Sequence, residues 1–246
     1  MAKTKTAFVC NDCGADYSKW QGQCSACHAW NTLTEVRIAG TSSAASPKSR
    51  GGFAGTTAVV QKLAAIDLID PPRFSPGFAE LDRVLGGGFV PGSAILIGGH
   101  PGAGKSTLLL QTLCKLAAQA PALYVTGEES PQQIAMRAKR LGLATDALQL
   151  MAETDVNEIL AAAQKHKPKV LVVDSIQVIH SDALTSAPGS VAQVRDCAAL
   201  LTRYAKQTGT VLILVGHVTK DGSLAGPKVL EHMIDCSVLL EGEQDS

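Results

Sequence analysis

Neither sign of charge prevails in this chain of 246 residues: 22 Lys and Arg stand against 22 Asp and Glu. That balance excludes a protein that holds nucleic acid or a lipid surface by bulk charge, and leaves any such contact to local patches. No apolar run is long enough to span a bilayer, so no membrane partner is expected. The opening Met1-Ala2-Lys3-Thr4-Lys5-Thr6 lacks the apolar stretch of a secretory signal. A cytoplasmic, reducing location is the expectation. There the seven cysteines read as metal ligands or core residues rather than disulfides. Apolar side chains are not scarce. Hydrophobic content of 46% against 18% charged supports a buried core, and the length suits one large domain plus a small one.

Gly99-His100-Pro101-Gly102-Ala103-Gly104-Lys105-Ser106-Thr107 matches G-x-x-x-x-G-K-[ST] at every fixed position. The apolar Ala94-Ile95-Leu96-Ile97 precedes it at strand length. Leu108, Leu109, Thr112, Leu113 and Leu116 follow with helical spacing. Strand, glycine loop and helix is the context a phosphate loop requires. Backbone N–H groups and the helix N-terminus face the phosphates of ATP or ADP, Lys105 reaches the β-phosphate and, in ATP, the γ-phosphate, and the Ser106 hydroxyl holds Mg²⁺.

Two C-x-x-C pairs, Cys10/Cys13 and Cys24/Cys27, lie ten residues apart. At that range in a reducing compartment they read as four thiolates around one structural Zn²⁺. Four thiolates complete a tetrahedron, which leaves His28 a bystander. Tyr17, Trp20 and Trp30 have two readings, stacking on bases or covering the metal site. The second is favoured, because aromatics often form the miniature core of such modules. Residues 1–50 carry six Lys or Arg and three Asp or Glu. Four thiolates on a divalent ion remove most of that surplus, so the segment is not a basic patch.

The expected organisation is a zinc finger over 1–36, a Gly/Ser/Ala/Thr-rich flexible linker over 37–62 and an ATPase domain over 63–246. Within the last, Ala122–Thr126 reads as a strand ending in Gly127-Glu128-Glu129-Ser130, and Ser130-Pro131-Gln132-Gln133 as a capping box. An acid at a strand's C-terminal end can orient and deprotonate a water, but both glutamates could equally serve the loop and the helix N-terminus. Val170-Leu171-Val172-Val173-Asp174 has the Walker B pattern, four apolar residues and an acid for Mg²⁺, about seventy residues after the phosphate loop. Residues 180–190 read as a mobile loop, Ser190–Gln193 as a second capping box, and Val211–Val215 and Ile234–Leu240 as further strands. The alternation of five apolar strands with helices predicts an α/β fold with a mostly parallel sheet. Cys114, Cys197 and Cys236 sit on apolar faces as core residues.

Taken together, the paired cysteines, Phe74-Ser75-x-Gly77, the phosphate loop, Thr126-Gly127-Glu128-Glu129-Ser130 and Gly216-His217-Val218-Thr219-Lys220-Asp221-Gly222 resemble the bacterial RadA (Sms) family of DNA repair proteins. The resemblance covers nearly the whole chain. It implies a RecA-like P-loop ATPase core behind the zinc finger. It also implies a homo-hexameric ring helicase that encircles single-stranded DNA and drives branch migration of recombination intermediates, with the RecA recombinase as a partner. By the same resemblance Glu128 is the catalytic glutamate, with Glu129 in reserve, and His217 occupies the place of a γ-phosphate sensor. Lys105 and Asp174 complete the catalytic set. Loops 180–190 and 221–229 face DNA, with Lys220 and Lys228 as the phosphate-binding side chains. Family members continue into a K-N-R-F-G motif and a Lon-protease-like domain that lie beyond Ser246. The chain is therefore expected to be a truncated form that binds Mg-nucleotide, hydrolyses ATP weakly and associates weakly. The competing class is a RecA-like regulatory ATPase with a zinc-ribbon adaptor and no motor activity.

Overall fold

The computed structural model describes residues 5–10, 16–26, 28–38, 62–65, 72–184, 186–217, 230 and 232–241. Cys13, Cys27, Lys220, Lys228, loop 221–229 and nearly all of the 37–62 linker lie outside them.

Two sheets form. The small one has strand order β2-β1-β3, from β1 (Lys5–Cys10), β2 (Asp16–Tyr17) and β3 (Leu33–Ile38), all antiparallel. Its interior is slight: Cys10, Cys24 and Leu33 are buried, with Phe8 and Tyr17 packed against them.

The large sheet has six strands, all parallel. They are β4 (Ala94–Gly99), β5 (Ala122–Thr126), β6 (Gln149–Ala152), β7 (Val170–Asp174), β8 (Val211–Val215) and β9 (Cys236–Leu240), in the order β6-β5-β7-β8-β4-β9. Strand periodicity divides the core between the two faces. Ile95, Ile97, Tyr124, Val172 and Ile213 point to one face, where Leu109, Leu113 and Ile134 cover them. Leu96, Leu123, Val125, Leu171 and Leu214 point to the other, beneath Ile159, Val194 and Leu201. The covering helices are α2 (Lys105–Ala117) and α3 (Pro131–Arg140) on the first face, α4 (Val156–His166) and α5 (Val191–Thr208) on the second. A short α1 (Ala79–Val84) precedes the sheet.

Five strands are expected from the sequence and six are present. The extra one, β6, pairs only with β5 at the sheet's edge, and most of its side chains are exposed. It lacks the apolar signature by which the buried strands declare themselves. The last strand starts at Cys236 rather than Ile234, because Asp235 turns back to accept the Ala94 N–H at 2.8 Å and pairs with Lys206. The Ser130 capping box forms in full. The second forms only by half: Ser190 accepts from Gln193 N–H, but the Gln193 side chain turns inward.

Candidate functional site

In a parallel sheet every strand delivers its C-terminal end to the same edge, and ligands bind there, where successive connections leave in opposite directions. From β4 the chain crosses through α2 to β5, past β7 and β8. At that edge the phosphate loop, Thr126 at the end of β5, Glu128 and Glu129 after it, Asp174 at the end of β7 and His217 after β8 line one cavity of 310 Å³.

The loop leads into α2 through Gly104, whose φ of 89° is a conformation that side chains disfavour. Lys105 is buried, and its ammonium donates to the carbonyls of Gly99 at 2.6 Å and His100 at 2.9 Å. Burial lowers its pKa; the nearby Asp174 and Glu128 carboxylates work in the opposite direction. Asp174 is buried and accepts the Tyr124 hydroxyl at 2.5 Å. Burial, and then Asp174 itself, raise the Tyr124 pKa, which keeps the phenol a donor. The Asp174 carboxylate and the Ser106 hydroxyl line the same cavity. A hard-oxygen pair of that kind, in reach of phosphates, suits Mg²⁺ bound with a nucleotide.

The two adjacent glutamates are not equivalent. Glu128 accepts from the Ser175 hydroxyl and lies 3.0 Å from His217 Nε2. Burial opposes its ionised form, but Ser175, His217 and Lys105 outweigh that and hold its carboxyl below the usual range. An ionised carboxylate only accepts, so His217 Nε2 carries the proton of that contact. Glu129 instead forms an ion pair with Arg137 of α3, and its backbone N–H and carbonyl are both tied to the Thr126 hydroxyl. Gly127 is required by close approach, since a Cβ there would lie 2.3 Å from Val178 Cγ2.

Arg137, Ser175, Thr126 and Tyr124 are parts of this site that sequence reasoning missed. Ser175 follows the Walker B acid directly, so its position was a signal. Arg137 carried none, because its meeting with Glu129 depends on how α3 packs.

Residues 180–190 are irregular, as expected, but the described part is tethered rather than loose. Gln193 is buried, accepts from Ser181 N–H at 2.8 Å and donates to the Ser181 and Ser186 carbonyls at 3.2 and 2.9 Å. Cys114 and Cys197 are buried and Cys236 partly so. Burial raises all three thiols, Cys197 to about 12, as for core residues.

In the small sheet, Cys10 and Cys24 come from the two C-x-x-C pairs, are wholly buried, and share one cluster. Tyr17 covers that cluster, its hydroxyl 3.2 Å from Cys24 Sγ. Trp20 and Trp30 do not: they are 57% and 69% exposed, which corrects the expectation that all three aromatics cover the metal site. Two buried thiols in a module with so little apolar interior fit a metal-stabilised fold. Cys24→Ser is expected to abolish zinc binding and unfold this module while the large sheet keeps its melting transition. Elemental analysis together with thermal unfolding checks this, and protein purified without chelator that holds no zinc would refute it.

Residues 72–223 match the family model described as an AAA domain, and residues 8–35 one described as a rubredoxin metal binding domain. The chain is 66% identical to the DNA repair protein RadA of Escherichia coli over 100% of this chain and 54% of that protein. It is 65% identical to that of Haemophilus influenzae over 100% and 54%, and 46% identical to that of Bacillus subtilis over 99% and 53%. The chain thus spans about half the length of the curated relatives it matches. Among the described residues, no helix is long and apolar enough to cross a membrane.

Proposed function

The chain belongs to the AAA-domain family, in the branch of the bacterial DNA repair proteins RadA, and on that premise we propose that it is the ATP-hydrolysing part of a DNA motor. The observation that carries this reading is the setting of Glu128: an ionised carboxylate, fixed by Ser175 and His217, facing Lys105 across a cavity lined by the phosphate loop.

The roles follow from chemistry. Backbone N–H groups of residues 99–107 and the Lys105 ammonium bind the β- and γ-phosphates. Ser106 and Asp174 hold Mg²⁺, which neutralises phosphate charge when bound. Glu128 takes the proton of a water that attacks the γ-phosphorus, giving ADP and inorganic phosphate. His217 touches both that carboxylate and the cavity, so it can report the loss of the γ-phosphate to the chain beyond β8. Loops 180–190 and 221–229 are the proposed contacts to single-stranded DNA, with Lys220 and Lys228 as its phosphate ligands. One zinc ion is held by Cys10, Cys13, Cys24 and Cys27.

In the whole protein we assign this core to a cytoplasmic homo-hexameric ring. It moves along single-stranded DNA and drives branch migration of recombination intermediates alongside the RecA recombinase. Ring ATPases commonly draw part of their transition-state charge from a neighbouring subunit. Residues 1–246 alone are therefore expected to bind Mg-ATP and turn it over slowly. ATP hydrolysis with and without single-stranded DNA tests the reading, and the expected result is a rise on adding DNA. Turnover indifferent to every DNA tried would favour a regulatory ATPase, and failure to bind ATP would sink both.

A further inference from the structure

Trp20 and Trp30 are the largest exposed apolar side chains of the small module. They are also the only two tryptophans in the chain. The segment that bears them is fixed. Gln23 and Trp30 form a β-bridge, Asn31 N–H donates to the Gly22 carbonyl at 2.7 Å, and Gln23 Nε2 donates to the His28 carbonyl at 2.9 Å. The two indoles converge over Gly22, each with a ring carbon 3.8 Å from where a Cβ on that glycine would sit. Exposed indoles held side by side on a rigid turn carry a cost in water that function must explain.

The surroundings identify the partner. A protein-docking face surrounds its aromatic anchors with further apolar area. Here the flanking exposed residues are Ser18, Lys19, Ser25, Ala26, His28 and Asn31, and among the described residues of the module no other large apolar side chain is exposed. No acid occurs from Tyr17 to Thr34, whereas Lys19 and His28 lie within that stretch. Exposed flat rings in a polar setting, with Lys19 beside them and no carboxylate between residues 17 and 34, match the faces of unpaired bases.

We infer that Trp20 and Trp30 form a stacking platform for the bases of single-stranded nucleic acid, a contact separate from the nucleotide cavity. It shares with the proposed function only its choice of ligand.

The test uses the whole chain without nucleotide and end-labelled (dT)20 as probe. Tryptophan emission should be quenched as the strand binds, because both emitters lie in the platform. By anisotropy, Trp20→Ala and Trp30→Ala should each weaken binding by about tenfold. Trp20→Phe and Trp30→Phe should retain most of the affinity. The salt dependence should be unchanged in the alanine variants, since stacking and not charge is lost. Unaltered affinity in both alanine variants would overturn the inference while leaving DNA binding elsewhere intact. Equal loss in the phenylalanine and alanine variants would overturn it as well, by assigning the indoles to the module's shape or to a protein partner. No binding of (dT)20 at all would remove both this inference and the DNA reading, whatever the ATPase activity proves to be.

Discussion

Glu128→Gln is expected to bind Mg-ATP as tightly as the parent chain and to hydrolyse it about a hundredfold more slowly or worse, the usual cost of losing a general base. Glu129→Gln, one residue away, is expected to lose less than about tenfold, since a group outside the reaction contributes only through structure. The difference rests on where each carboxylate points. Both line the cavity, but Glu128 is held by Ser175 and His217, whereas Glu129 is neutralised by Arg137. Single-turnover hydrolysis with a parallel nucleotide-binding measurement separates the two. Normal turnover by Glu128→Gln with a deep loss in Glu129→Gln would mean the wrong acid has been assigned.

The same setting fixes a pH dependence. A base acts only when ionised, so turnover disappears as pH falls through the Glu128 pKa, which lies below the ordinary carboxylate range. Ser175→Ala removes one of the contacts that lower it and leaves the burial that raises it. The acid limb of the pH profile should therefore move to higher pH. A purely structural Ser175 would lower the rate without moving the limb.

How much of this was legible in the sequence depends on whether the signal is local. The phosphate loop declares itself because glycine spacing, strand and helix are all consecutive. The buried strands β4, β5, β7 and β8 are likewise continuous apolar runs. β6 is four residues of mostly exposed edge and has no such run. The choice between Glu128 and Glu129 could not be made from two identical neighbours on position alone. It turns on Arg137, two turns along a helix whose docking is a tertiary matter. Gln193 shows the same limit. Its spacing from Ser190 spells a capping box, yet burial hands its side chain to the carbonyls of the preceding loop. The tryptophans failed for the opposite reason: composition suggests that large aromatics seek an interior, and this module has almost none to offer.

Lys105→Met is expected to weaken ATP binding by about 10- to 100-fold, since a hydrogen bond to a charged group contributes about 1.5–3 kcal/mol. The nucleotide-free chain should nonetheless melt at the same temperature as the parent or higher. The Lys105 ammonium is buried and satisfied by two carbonyls, and the desolvation that lowers its pKa exceeds the pull of Asp174 and Glu128. The native state then binds this proton less readily than the unfolded chain does. The cost to stability is complete below the lowered pKa and is relieved as pH rises from there towards the ordinary lysine value. Any gain from Lys105→Met should accordingly be largest near neutrality and shrink in alkali. Saturating Mg-ATP should reverse the order of the two proteins, because only the parent places a cation against the phosphates. Thermal melts at two pH values, with and without nucleotide, read all of this at once. A variant that binds ATP normally, or whose empty form is markedly less stable than the parent, would show that Lys105 is held for the loop's own structure and not for phosphate.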